Sequence, residues 1–377
     1  MTHVAFLIPT LDRIGGAERQ VILLAKGMIR RNWQVSVIAL SGTGGDAACE
    51  LTFAGASFLS LAMRKGLADP RGWFRFHHWL KAEKPDLVHA HLSHAAMLAR
   101  WSRIAAPVRA LVDTIHSTAT GPLERRIGYR LSAWLPDKVT AVSRAAAEAW
   151  LSANLVVERK IAVIPNGVDI AQWKPDPAVR NKMRAELGLT DEFLWVAAGR
   201  LEPVKDYPTL LRAMTALPAP ARLVIAGAGA LEDELRRLSA ELRLERSVLF
   251  LGFEPNVLPW MQAADGFVLA SQYEGLPMGL LEAGACCLPA VATDVPGTRE
   301  VIAHSQAELH AVPHSSGALA EAMTRLMQMP PNERCALGQL ARHSVSERFS
   351  LRAVLDKWED LYGNLLEMNP NPKRWGS

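Results

Sequence analysis

The chain has 377 residues, 49% of them hydrophobic and 21% charged, which is enough for two domains with separate apolar cores. Its net charge of +4 is uneven: residues 1–175 carry +9 and the remainder −5, so the first half is suited to face something anionic, a membrane surface or a phosphorylated acceptor. No apolar run reaches the ~18–20 residues of a membrane span, and no recognition-helix, zinc-finger or RNA-binding signature supports nucleic acid as a partner.

The first residues lack the charged, then apolar, then small-residue pattern of a secretory leader. The four cysteines form no disulfide framework, and the adjacent Cys286 and Cys287 read as small buried hydrophobes. A reducing, cytoplasmic location is expected.

Short apolar runs alternate with helical patterns along the whole chain. Strands are predicted over 4–8, 35–40, 87–89, 110–114 and 138–142, then over 194–198, 222–226, 248–251, 266–270 and 290–293. Helices are predicted between them, among others over 17–31, 208–216, 231–241 and 276–285. This alternation predicts the α/β class, with two doubly wound parallel sheets. The boundary is expected near residues 172–177, where Trp173-Lys174-Pro175-Asp176-Pro177 breaks any regular element. Residues from Met368 onward, rich in Asn and Pro, are expected to be poorly ordered.

Parallel sheets bind ligands at the carboxyl ends of their strands, and the polar motifs cluster there. Gly15-Gly16 follows the first strand and opens a helix, so backbone amides can approach a phosphate or a sugar. His89-x-His91-x-x-His94 has the look of a metal cluster, but His94 falls in the next helix and no Cys or acidic ligand is near in sequence, so zinc is disfavoured. Arg125, Arg126 and Arg130 interleave with Leu123, Ile127, Tyr129, Leu131 and Trp134, a basic amphipathic stretch of the kind that lies in anionic bilayer interfaces; 71–81 is a weaker second candidate.

In the second half, a buried strand runs into Gly199-Arg200-Leu201-Glu202-Pro203-Val204-Lys205-Asp206. A guanidinium fork and an ammonium point charge after a strand suit a diphosphate. Further on, Gln272-Tyr273-Glu274-Gly275-Leu276-Pro277-Met278-Gly279-Leu280-Leu281-Glu282 sets two carboxylates around a turn into an apolar helix. Pro277 suits the first helical position, leaving the amides of Leu276, Met278 and Gly279 to form an anion site. The order of parts along this element, carboxylate, amides, carboxylate, matches a sugar, a phosphate and a ribose. No two aspartates stand two residues apart, so the usual carboxylate pair for a metal on a nucleotide diphosphate is absent and no cofactor is expected.

Together these segments resemble the retaining glycosyltransferases of family 4. Further matches are Gly15-Gly16-Ala17-Glu18-Arg19, Pro85-Asp86-Leu87-Val88-His89-Ala90-His91, Ile164-Pro165-Asn166-Gly167-Val168-Asp169 and Pro296-Gly297-Thr298-Arg299-Glu300. The resemblance covers nearly the whole chain. It implies the GT-B fold: a Rossmann-like acceptor domain over 1–173 and a nucleotide-sugar domain over 174–350, facing each other across a cleft. Residues 351–377 would form a helix packing back on the first domain, then a disordered tail. It also implies transfer of a hexose or N-acetylhexosamine from a UDP- or GDP-sugar, without a metal, to a lipid-linked or polysaccharide acceptor in cell-envelope glycan synthesis, at the inner face of the membrane.

Carried onto these positions, the resemblance gives Glu282 the ribose hydroxyls and Arg200 and Lys205 the diphosphate. Glu274 takes the sugar together with the stretch Gly275, Leu276, Pro277 and Met278, whose donors are the amides other than that of Pro277; Phe253 and Val257 flank the base, and His116 touches a sugar hydroxyl. The chain departs from the family after Arg299-Glu300-Val301-Ile302, where 304–314 replaces a glycine-rich turn. A sugar-nucleotide 2-epimerase on the same scaffold, a transferase for a soluble small molecule, and a silent sugar-binding protein are the rival readings. An NAD-dependent oxidoreductase lacks its glycine fingerprint, since Gly227-Ala228-Gly229 has no third glycine in register.

Overall fold

A computed structural model of the chain describes residues 1–12, 14–64, 69–106, 108–218, 220–302 and 309–370. The chain separates into two compact units, Met1–Gly167 with Leu351–Ser377, and Val168–Ser350.

The first unit is built on seven parallel strands: β1 (His3–Ile8), β2 (Gln34–Ala39), β3 (Ser57–Ser60), β4 (Leu87–His91), β5 (Ala110–Ile115), β6 (Lys138–Ala141) and β7 (Ile161–Val163). They lie in the order β3-β2-β1-β4-β5-β6-β7. The central strand shows why the sheet is covered on both sides. Val4, Phe6 and Ile8 enter one apolar cluster, and Ala5 and Leu7 enter another, the period-two alternation of a strand buried on both faces. The first cluster is closed by the Gly16–Arg30 helix and by Val354, Leu355, Trp358 and Tyr362 of the Leu351–Met368 helix. Gly27 permits this contact, because a Cβ there would meet a methyl of Leu355 at 2.5 Å.

The second unit has six parallel strands: β8 (Phe193–Ala198), β9 (Ala221–Ala226), β10 (Val248–Gly252), β11 (Gly266–Leu269), β12 (Ala290–Thr293) and β13 (His310–Ala311), in the order β10-β9-β8-β11-β12-β13. Trp195 is fully buried at its centre. Its register partner on β11 is Gly266, where a Cβ would sit 2.7 Å from the indole.

In both sheets the strand order reverses once, between β1 and β4 and between β8 and β11. The carboxyl ends of those neighbouring strands diverge into separate loops, which is where a doubly wound sheet takes its ligand.

Several details differ from the expectation. The edge strands β3, β7 and β13 lie outside the expectation; they have only two to four residues, and β3 and β7 are only partly buried. The units divide after Gly167, ahead of the Trp173–Pro177 break. Residues there belong with the second unit: the Val168 N–H donates to the Phe349 carbonyl, and Arg342 donates to the carbonyls of Ile170 and Trp173. Order persists past Met368, since Arg109 donates to the Asn369 carbonyl at 3.1 Å. Residues 371–377, part of the expected tail, and 303–308, part of the departure from the family pattern, lie outside the described residues.

Beneath β5 lies an ion pair with no sequence signature. Arg100, on the Ser93–Ala105 helix, donates to Asp113 of β5 at 2.5 Å, both side chains being at most 1% exposed. The same guanidinium donates to Ser132 at 3.1 Å and lies over the Tyr129 ring at 4.4 Å, so it ties the Leu123–Leu131 helix to the sheet. Burial pushes the Asp113 carboxyl up while Arg100 pulls it down. Removing Arg100 alone strands a buried carboxylate. Arg100→Ala should therefore lower stability by about 3–5 kcal/mol in denaturant unfolding, and Arg100→Met/Asp113→Leu by much less. Equal losses in the two variants would show that the charge pairing is not what matters.

Candidate functional site

The loops that leave β8 and β11 meet in one contact. Lys205 Nζ donates to Glu274 Oε1 at 2.5 Å, with the two side chains 19% and 11% exposed. Lys205 ends the one-turn helix Pro203–Lys205 after β8, and Glu274 lies in the loop between β11 and the Met278–Ala285 helix. Ser271 also donates to Glu274 Oε1 at 2.6 Å, and the Gln272 N–H donates to the Val204 carbonyl at 2.8 Å. A carboxylate fixed by two donors and an ammonium fixed by a carboxylate are thereby held at the switch point of the sheet.

Tyr207 buttresses this pair from behind. It is buried, donates to the Gly199 carbonyl at 3.0 Å, and its phenol is pushed up by burial and by the charge of Glu274. It stays a neutral donor. Arg200 behaves differently: it is 65% exposed and donates to Glu202 at 2.8 Å, a surface pair of small energetic weight.

Behind the β8 loop the backbone is packed against itself. A Cβ on Gly227 would lie 1.9 Å from the Gly199 carbonyl oxygen, and one on Gly229 would lie 2.3 Å from that of Leu201. The Gly227-Ala228-Gly229 turn therefore exists to let the strand ends approach. Phe253, just past β10, is 68% exposed, and Val257 is half-buried at the start of the Leu258–Ala263 helix.

The Met278–Ala285 helix starts two residues later than the predicted 276–285, and Pro277 is not its first residue. Pro277 has ψ 113° and is the residue before the helix, its carbonyl accepting from Leu280 at 3.2 Å. Gly275, Leu276 and Pro277 are buried, while Met278 and Gly279 are half-exposed. Glu282 is 5% exposed inside an otherwise apolar helix, an environment a carboxylate occupies only when its oxygens are bonded.

Three contributors had no role assigned from sequence. Tyr207 and Ser271 carry no motif of their own. Gly297 was visible, in Pro296-Gly297-Thr298-Arg299, as a pattern without a purpose. Its purpose is spatial: a Cβ there would meet the carbonyl oxygens of Glu274 at 2.5 Å and Gly275 at 2.7 Å. Thr298 next to it bonds Thr293, and Thr293 bonds the Ser271 carbonyl, so the short Pro296–Arg299 helix supports the carboxylate loop from below.

In the first unit, Gly15 caps the Gly16–Arg30 helix, its N–H donating to Glu18 at 3.0 Å, and both glycines are partly exposed at the end of β1. Three histidines, His89, His91 and His116, lie at the ends of β4 and β5. His89 is bonded to Tyr362 and to Thr114, both at 2.6 Å, which makes it structural. His91 Nδ1 lies 3.0 Å from His116 Nε2. Burial pushes His116 down to about 4 and holds His89 and His91 well below the ordinary range, so all three rings are neutral at neutral pH. His94 stands apart on the following helix. Among the described residues no group of three His, Cys, Asp or Glu is placed to hold a metal ion.

The basic stretch lies at the surface of the first unit. On the Leu123–Leu131 helix and just beyond it, Leu123, Ile127, Leu131 and Trp134 are 64%, 47%, 63% and 64% exposed, and only Tyr129 of the interleaved apolar residues is buried. Arg125 and Arg126 are half-buried, and Arg130 donates to the Ala153 carbonyl at 2.9 Å. The apolar residues, not the arginines, form the outward stripe. Among the described residues no helix is long and apolar enough to cross a membrane.

Comparison with known proteins covers both units. Residues 14–172 match the family Glycosyltransferase Family 4, and residues 179–344 match Glycosyl transferases group 1. The chain is 26% identical over 314 residues to the UDP-Gal:alpha-D-GlcNAc-diphosphoundecaprenol alpha-1,3-galactosyltransferase of Escherichia coli, covering 78% of this chain and 80% of that protein. It is 29% identical over 291 residues, 72% of each chain, to a GDP-mannose-dependent alpha-(1-6)-phosphatidylinositol monomannoside mannosyltransferase of Mycobacterium tuberculosis. Among solved structures, Anabaena Alr3699/HepE in complex with UDP superposes with a TM-score of 0.84 at 23% identity, over 97% of this chain and all of that one. That likeness shows the fold, GT-B.

The support under the carboxylate loop can be tested directly. Gly297→Val should force the backbone of Glu274 and Gly275 to move, costing about 1–3 kcal/mol as overpacking does. Amide exchange across 271–276 should rise more than across β9. Unchanged exchange in the loop would mean that Gly297 does not set its position.

Proposed function

This chain belongs to glycosyltransferase family 4, and we propose that it moves a hexose or N-acetylhexosamine from a nucleotide-diphosphate sugar to a lipid-linked or polysaccharide acceptor, with retention and without a metal. The observation that carries this reading is the Lys205–Glu274 pair at the β8/β11 switch point. It sets a cation for a leaving diphosphate beside a carboxylate for sugar hydroxyls. Glu282 is assigned the ribose, Phe253 and Val257 the base, and Arg200 the outer phosphate oxygens. The family likeness assigns Gly15, Gly16 and His116 to the sugar and its phosphate.

In the step proposed, the bond from the anomeric carbon to the diphosphate oxygen breaks as the acceptor hydroxyl attacks from the same face. The acceptor's proton passes to the departing phosphate oxygen. Negative charge grows on the diphosphate, and Lys205 with Arg200 stabilises it in place of a metal. Support for a lipid-linked acceptor comes from the Escherichia coli and Mycobacterium tuberculosis relatives, whose names specify undecaprenol-diphosphate and phosphatidylinositol acceptors. Those two relatives name a UDP-sugar and GDP-mannose respectively, which leaves UDP and GDP donors equal candidates.

The assay is release of nucleotide from a panel of UDP- and GDP-sugars. Activity should survive excess chelator, and Lys205→Ala should lower turnover ~10²-fold or more, with some loss of stability because the sheltered Glu274 carboxylate is left without its partner. Loss of activity on chelation that magnesium or manganese restores, or near-wild-type turnover by Lys205→Ala, would defeat the cation account.

A membrane-borne acceptor would bring the enzyme to an anionic surface, and Arg125, Arg126 and Arg130 with the stripe beside them are the proposed contact. In flotation with anionic vesicles, Leu123→Ser/Ile127→Ser/Leu131→Ser should lose binding at both low and high salt. Arg125→Ser/Arg126→Ser/Arg130→Ser should lose up to about two orders of magnitude at low salt, at ~1 kcal/mol per basic residue near the surface, and little more at high salt. Equal flotation of all three proteins would leave the helix an ordinary solvated one and favour a soluble acceptor.

A further inference from the structure

We propose that His91 is a positioning residue that fixes the tautomer of His116, donating from its Nδ1–H to His116 Nε2 so that His116 presents Nδ1–H as a donor. The use of that donor on the substrate rests on the transfer reading above; the tautomer itself does not.

The inference starts from a proton count. His91 Nδ1 and His116 Nε2 lie 3.0 Å apart with no hydrogen between them other than one the two rings share. Two neutral rings can satisfy this contact in two ways. Either His116 Nε2–H donates to a bare His91 Nδ1, or His91 Nδ1–H donates to a bare His116 Nε2. The environment of His91 separates them. The ring is 1% exposed, and its Nε2 has no hydrogen-bond partner among the described residues.

In the first arrangement that orphaned atom carries the proton, leaving a buried N–H unpaired. In the second it carries only a lone pair. Orphaned buried N–H groups are the rarer of the two defects in folded proteins, so the second arrangement is favoured. A doubly protonated ring on either side is opposed by burial, which lowers both groups.

The surroundings keep His91 from escaping the contact. Its ring centroid lies 4.0 Å from that of His89 and 6.0 Å from that of Phe6. His89 is in turn held on both nitrogens by Tyr362 and Thr114. Thr114 bonds Thr140 at 2.7 Å, so the row β4-β5-β6 is bonded side chain to side chain under the two rings. His116 alone of the three histidines is only half-buried. With Nε2 committed to His91, Nδ1 is the nitrogen it has left for a ligand. An N–H there donates to a sugar hydroxyl or to a phosphate oxygen; a bare nitrogen would repel the second. Which nitrogen holds the proton is commonly set by the bond the other makes.

The test is long-range nitrogen–proton correlation on protein with labelled histidine, at neutral pH, with His116→Ala used to assign the ring. Wild-type His116 should show a protonated Nδ1 and a bare Nε2. His91→Leu, which fills the space without a donor, should move the proton to Nε2 or divide it between the nitrogens. His91→Asn, whose amide can donate from the place of Nδ1, should restore the wild-type pattern. A wild-type His116 protonated at Nε2 overturns the proposal, and that reading needs no folded His91 variant, only the His116→Ala assignment.

Turnover is read on the same proteins. His91→Leu should lose on the order of tenfold in kcat with little change in the donor KM, the effect of about one hydrogen bond, and His91→Asn should recover most of it. Wild-type turnover in a His91→Leu protein whose tautomer has changed overturns the use of that donor in the reaction. A wild-type protein inert toward every nucleotide sugar overturns the transfer reading instead, and the spectra decide the tautomer alone.

Discussion

The contact between Lys205 and Glu274 organises the second unit's edge. It joins two loops that the sheet would otherwise send apart, because β8 and β11 are the neighbours at which the winding reverses. The surrounding packing serves that meeting. Tyr207 holds the start of one loop through the Gly199 carbonyl, and Ser271 and the Thr293–Thr298 chain hold the other. Gly227, Gly229 and Gly297 supply the clearance. A charged pair this sheltered is worth little as a source of stability. Its value lies in placing a cation and a carboxylate at fixed separation before any ligand arrives.

The two units use one architectural rule for different chemistry. In the first, the strands at the reversal end in glycines on one side and, through β4 and its neighbour β5, in paired histidines on the other. In the second they end in charge. The first edge is therefore neutral and hydrogen-bonding, the second ionic.

Much of this was legible in the residues. Central strands such as β1 and β8 are continuous apolar runs, and their helical partners show a clean period, so class and winding followed from pattern. Gly199-Arg200…Lys205 and Glu274…Glu282 stood out as charged residues set just after apolar strands or inside an apolar helix. What stayed hidden depended on distance across the fold. Nothing in the neighbourhood of Arg100 or Asp113 announces that they meet, and Gly297 gives no sign locally that it lies under Glu274. Which residues of the Leu123–Leu131 helix face outward stayed hidden for the same reason: Tyr129 lies inward under Arg100, and Leu123, Ile127 and Leu131 are left exposed. The edge strands β3, β7 and β13 escaped because two to four residues are too few to show a period.

The helix Leu351–Met368 gives the chain a temporal order. The second unit is one uninterrupted stretch, whereas the first is completed only by residues that follow it. Val354, Trp358 and Tyr362 fill the core against β1, and Tyr362 bonds His89. Domains ordinarily fold in the sequence in which the ribosome releases them. Here β1 to β7 leave the ribosome first yet must wait, with one face of their sheet covered only in part by the Gly16–Arg30 helix, until the whole of the second unit has been made. The unit synthesised first is the unit finished last.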